Sequence, residues 1–280
     1  MDFGVFLAVL AAAAMHAGWN AVVKTGLDQF LSVSLITLAS GTVSLLCLPF
    51  VAVPTGDIWY WIAVSAVLHT LYKLFLVRAY ATGELGQVYP LARGAAPLIV
   101  AAVSVGVIGE ELGAANLIGI VILVSGVWLM SLRGGQQIRN LDRQAVFYAI
   151  GTSCFIASYT LVDGHGARRA ASASSYVLYL FVLDAVLIFI LCAARRGTAG
   201  FRAMRRVWKG GVAGGGMSLG AYWIATWAMT VAPIPAVAAL RETSVLFAVA
   251  ISSVLLKERL TGWRLGAALL IAGGVAVVRL

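Results

Sequence analysis

The sequence predicts an all-α polytopic membrane protein of ten transmembrane helices, arranged as two inverted five-helix repeats. Three observations carry this. The 280 residues are 61% hydrophobic and 11% charged, with a mean hydropathy of +0.96. A soluble chain carries about 25% charged residues, so there is too little polar surface here to coat one. Apolar stretches long enough to cross about 30 Å of hydrocarbon recur ten times. The chain also resembles itself when displaced by 148 residues.

The ten stretches run over 3–24, 31–53, 58–82, 85–107, 113–132, 144–163, 173–194, 210–231, 234–256 and 262–280. The first starts directly after Met1-Asp2 with no basic leader, so it reads as a span and not a cleaved signal. The fourth contains Pro90 and Pro97, which remove backbone donors and invite kinks. The eighth carries Gly210, Gly211, Gly214, Gly215, Gly216 and Gly220, small residues that let helix backbones approach. Pro233 and Pro235 open the ninth, where a helix start tolerates proline. In the tenth, Gly262, Gly266, Gly273 and Gly274 suit close packing. None of these stretches alternates polar with apolar as barrel strands do. The spans consume the chain, which excludes a large catalytic head outside the membrane.

Two connections are long and basic, Arg133–Arg143 and Arg195–Lys209. The side holding the loops after spans 1, 3, 5, 7 and 9 carries thirteen Lys and Arg, from Lys24 to Arg264. The other side carries Arg168, Arg169 and Arg279. The imbalance predicts the first side as cytoplasmic. The net charge of +9 is explained by these loops, and no basic face interleaved with aromatics suggests nucleic acid. Cys47, Cys154 and Cys192 lie in apolar runs and read as small packing residues, neither disulfide nor metal site.

Residues 64–132 align with 212–280 without a gap, and 13 of the 69 pairs are identical. They include Arg93 with Arg241 and Glu110 with Glu258. The chain is therefore read as residues 1–132, a connector 133–143, and residues 144–280. Five helices per half is odd, so the halves insert in opposite directions. That is the layout of secondary transporters, whose site lies at the repeat interface. Two halves on one chain also predict a functional monomer.

Charges inside the bilayer cost about 2.5–3.5 kcal/mol each, so they are rarely idle. Lys73, Arg93, Asp163, Asp184, Arg241 and Glu242 are the interior set. Arg93 or Arg241 suits a substrate carboxylate; alternatively Arg241 with Asp184, or Arg93 with Glu242, neutralise each other between helices. Asp184 and Glu242 are the candidates for a coupling proton. His16, Trp19 and Asn20 share one face of span 1, and His69, Tyr72 and Lys73 repeat the pattern in span 3. Tyr89 lies one turn from Arg93, and Tyr159 in span 6 matches Trp19. Gly216, Gly220, Trp223 and Trp227 share a face, read as an aromatic wall opposite His69 and Tyr72. No motif of a metalloprotease, hydrolase, P-loop or dinucleotide enzyme is present, so neither an enzyme nor a metal or cofactor is expected.

The Trp19-Asn20-x-x-x-Lys24 of span 1, the Glu-x-Leu at Glu110–Leu112 and Glu258–Leu260, and the glycine-bearing helices Leu117–Gly126 and Leu265–Gly274 resemble the drug/metabolite transporter superfamily, in particular its EamA-domain type. The resemblance implies a central cavity lined by helices 1, 3, 4, 6, 8 and 9, alternating access, and small organic substrates. Many such prokaryotic members export amino acids, aromatic ones included. The alternatives are a carrier of drug-like cations, nucleosides or phosphorylated metabolites, a non-transporting subunit, and an intramembrane lipid-modifying enzyme. The last would require a buried carboxylate pair or metal cluster that the sequence does not show. The partners expected are a small-molecule substrate and membrane lipids. The Glu110 and Glu258 pair is read as structural, capping helix amides.

Overall fold

The computed structural model describes residues 1–23, 27–82, 92–132, 142–255 and 262–279. Its helices are α1 (Phe3–Val23), α2 (Gln29–Cys47), α3 (Ile58–Thr82), α4 (Ala96–Val103), α5 (Ala114–Leu132), α6 (Arg143–Arg169), α7 (Ala173–Arg206), α8 (Trp208–Val231), α9 (Ile234–Arg241), α10 (Ser244–Leu255) and α11 (Gly262–Arg279). No strand occurs among the described residues. Among the described residues, seven segments have both the length and the apolarity of a membrane span, against the ten stretches expected of the whole sequence. Ala92–Ile108 and Ala114–Met130 are apolar but shorter, and α8 is long but diluted by its glycines.

Two further expectations change. The ninth stretch is two helices, because Glu242 and Thr243 form a turn between α9 and α10. The amides of Glu242 and Thr243 bond to Ala239 and Leu240, three residues back, which tightens the chain there. The fourth stretch bends at the matching place, Ala95, just after Arg93. The basic connector Arg195–Lys209 is largely helical: α7 continues through it and turns at Gly197, whose φ of 54° suits glycine.

The helices pack mainly in pairs: α1 with α8, α2 with α7, α3 with α6, and α5 with α11, while α4 meets α9. Exchanging the halves turns α3–α6 into α8–α1 and returns every other pair to itself, so the packing repeats as the sequence does. At α5–α11 the backbones nearly touch. A Cβ on Gly274 would lie 2.5 Å from the Leu123 amide nitrogen, and one on Gly126 would lie 2.8 Å from that of Ile271. Gly126 and Gly274 are themselves 148 residues apart. Gly262, Gly266 and Gly273 face open space instead, so the close packing expected of all four falls to Gly274 alone.

One core cluster lies around Val9, Leu123, Met229, Leu240 and Ile271, and another around Ile62, Tyr176, Leu178 and Leu180. Large apolar side chains including Leu46, Phe50, Val107 and Leu269 point outward. Such a surface suits hydrocarbon and not water.

Candidate functional site

A cavity opens between the two halves. It is lined by His16 and Trp19 from α1, Val33, Ile36, Thr37 and Ser40 from α2, His69, Tyr72, Lys73 and Leu76 from α3, Tyr159 from α6, Phe181 and Asp184 from α7, Ser218 and Tyr222 from α8, and Arg241 from α9. About 70 Å³ is open to the centres of water molecules, room for about five waters at roughly 10–15 Å³ each.

Three polar clusters surround it. In the first, Arg93 grips Glu242 with two bonds, Nε to Oε2 at 3.2 Å and Nη2 to Oε1 at 2.9 Å. Its Nη1 lies 2.7 Å from His16 Nε2, and Trp19 Nε1 donates to His16 Nδ1 at 3.2 Å. In the second, Lys73 pairs with Asp184 Oδ2, and Thr70 donates to Oδ1 at 3.3 Å. In the third, Asp163 is fully buried and accepts from Tyr176 at 2.8 Å and from Tyr222. His69 Nε2 lies 3.1 Å from Asp163 and 3.2 Å from the Tyr222 hydroxyl. Tyr159 stacks on the His69 ring at 4.0 Å.

These clusters separate the two arginines that the repeat relates. Arg93 takes the alternative weighed in the sequence, pairing with Glu242. Arg241 does not pair with Asp184, which belongs to Lys73. It meets no carboxylate at ion-pair distance among the described residues, and its guanidinium lies 5.2 Å from the centre of the Tyr222 ring. Its partner there is a π face.

Of the expected site residues, the cavity wall brings together His16, Trp19, His69, Tyr72, Lys73, Tyr159, Asp184 and Arg241. Arg93 and Glu242 sit one layer behind His16. Asn20 is turned to its own helix and donates to the His16 carbonyl at 2.8 Å. Tyr89, Lys24 and Glu258 lie outside the described residues. Trp223 is a correction: it donates to Ser174 at 3.0 Å away from the lining, and Tyr222 takes the place expected of it. Successive helical residues point about 100° apart, and the glycine face extrapolated through Trp223 and Trp227 leads outward, where Trp227 is 40% exposed.

Sequence reasoning missed α2 and α7 as cavity walls, and no described residue of α4 lines the cavity. A signal for α2 existed: Thr37 and Ser40, one turn apart in an apolar stretch, are both buried and both on the cavity wall. Glu110 does act at a helix start as expected, though not of the next helix. A π turn over Ser104–Ile108 ends at Gly109, φ 74°, and delivers Glu110 to the α9 start, where it accepts from Ile234 N at 3.4 Å. Arg168 joins it at 3.0 Å and also donates to the carbonyls of Met229, at 2.8 Å, and Ala232, at 3.0 Å. Among the described residues no three His, Cys, Asp or Glu gather as metal ligands.

An all-helical fold of apolar helices, with a cavity of mixed polar and apolar lining between two like halves, is that of a multi-pass membrane protein. The chain belongs to the EamA-like transporter family, whose profile matches residues 2–132 and again 143–280. A solved structure titled "Crystal structure of protein" is 16% identical, covers 100% of this chain and 99% of its own, and superposes with a TM-score of 0.76. At that identity the likeness shows the fold alone. No curated protein matches the sequence.

Proposed function

We propose that this transporter carries amino acids, apolar and aromatic ones among them, or closely related small metabolites, and that it exports them by alternating access through the cavity. The reading takes ten crossings in two inverted halves, a single chain as the working unit, and a bacterial inner membrane with the Lys- and Arg-rich side in the cytoplasm. One observation carries the substrate class. Arg241 is a cavity-lining cation with no carboxylate partner among the described residues, flanked by Tyr222, Tyr159, Tyr72 and Trp19. The guanidinium fits the substrate carboxylate, and the rings fit an apolar side chain. A carrier of cations needs an acid ready to meet its cargo, and Asp184, the acid on the cavity wall, is held by Lys73.

Counterflow of labelled L-phenylalanine and L-leucine in proteoliposomes tests this. The wild type should exchange at least one of them, and Arg241→Gln should lose at least tenfold in rate while remaining folded. If no amino acid exchanges, or R241Q exchanges as well as the wild type, the substrate assignment is wrong.

A further inference from the structure

Asp184 and Glu242 were the sequence candidates for carrying a proton. Both are in contact with a fixed cation, Lys73 and Arg93 respectively, so a proton on either has to displace a charge that cannot leave. Asp163 differs. Its partners are two phenols and an imidazole, and no Lys or Arg meets it at ion-pair distance among the described residues. We propose that the Asp163–His69 pair is a proton-binding site behind the cavity wall, and that its proton is taken up together with an anionic group at Arg241. The second clause rests on the carboxylate reading of Arg241; the first stands on the geometry alone.

The pair offers one proton two seats 3.1 Å apart, so its charge is either −1 or 0. The cavity gives it an entry, because His69 and Tyr222 line the wall while Asp163 lies fully buried behind them. The titratable and charged groups around it come from five elements. They are Tyr72 and Lys73 on α3, Tyr159 on α6, Tyr176 and Asp184 on α7, Tyr222 on α8, and Arg241 on α9. His16 on α1 also lines the cavity, with Arg93 and Glu242 joined behind it.

Charge counting gives the coupling its sign. Lys73 cancels Asp184 and Arg93 cancels Glu242. With the other imidazoles neutral, Arg241 and the Asp163–His69 pair remain. When the pair is at −1 the remainder sums to zero. A proton raises the sum to +1, and a cargo with one net negative charge restores zero when its carboxylate arrives at Arg241, whereas a zwitterionic amino acid, whose ammonium cancels its carboxylate, leaves it at +1. A low-dielectric site favours the neutral totals, so each binding event tightens the other, and by linkage the effect is reciprocal. Proton and net-anionic cargo then cross in the same direction. For an exporter this means that the cargo's own gradient supplies the drive, and that acid outside opposes export.

The test needs no substrate. The chain has three histidines, His16, His69 and His165, so ring-nitrogen NMR of the detergent-solubilised protein resolves them. One ring signal, missing in His69→Gln, should respond to pH. The midpoint should rise in R241Q, where a neighbouring positive charge is gone, and fall in Asp163→Asn. Tyr176→Phe keeps both proton seats and controls for folding; its titration should persist. A His69 ring that does not respond to pH overturns the proton site, even if amino acids are transported. An unmoved midpoint in R241Q overturns the linkage to Arg241. Loss of amino-acid counterflow in the wild type alone overturns the function above and leaves this site standing.

Discussion

Arg93 and Arg241 are the same residue at equivalent places in the repeat, yet they do different work. Arg93 is buried among Glu242 and His16, and Arg241 looks into the cavity. Removing one partner of a buried ion pair strands the other and costs about 3–5 kcal/mol, whereas replacing both with apolar residues is often neutral. Arg93→Met should therefore lower thermal stability in detergent markedly, and adding Glu242→Leu should recover most of it. Equal damage from R93M and the double variant would show that Arg93 does more than neutralise Glu242. His16 adds a constraint. Trp19 and Arg93 are both donors only, and a neutral imidazole has a single acceptor nitrogen, so His16 satisfies one of them at a time. The sequence showed that six interior charges matter, because membrane insertion makes each costly. The Arg93–Glu242 pairing was one of the alternatives the sequence offered, but that of Lys73 with Asp184 was not legible, since they meet across 111 positions of chain and no local spacing encodes that.

At the scale of helices, the close approach of α5 and α11 tests whether the glycines serve contact or mere flexibility. Gly126→Leu and Gly274→Leu each push a side chain into backbone less than 3 Å away, and overpacking of that kind costs about 1–3 kcal/mol or more. Gly273→Leu meets open space and should shift the melting temperature little. Comparable losses from all three would refute the contact. Helix existence was plain from hydropathy, because length and apolarity are local properties. Helix interruptions were half legible. Prolines marked the fourth and ninth stretches, but the turn at Glu242–Thr243 comes after the prolines, at the residue that pairs with Arg93. α8 shows the converse: its glycines pack against Leu35, Ala39 and Met15, so a helix poor in hydropathy is held by neighbours and not by lipid.

At the scale of the molecule, Arg168 gathers the ends of four helices on one face. It binds Glu110 beyond α4, the end of α8 at Met229, and Ala232 at the approach to α9, from its own seat at the end of α6. These contacts tie the helix ends together on the side expected to face outward. In a protein whose free Cys47, Cys154 and Cys192 are replaced, Ser218→Cys places a thiol on the cavity wall. Adding Arg168→Gln should speed its labelling by an impermeant maleimide applied outside cells by severalfold. Unchanged labelling would mean that the closure lies elsewhere, and faster labelling only from inside would reverse the orientation. The pairing of α5 with α11 also has a consequence for biosynthesis. Gly126 and Gly274 leave the ribosome 148 residues apart, and at about 5–20 residues per second that is an interval of about 7–30 s. Throughout it the α5 seam has no partner on its own chain and faces lipid or the insertion machinery. The first half is thus a waiting template, and a second nascent copy exposing the same glycine seam is the competitor against which the chain must finish.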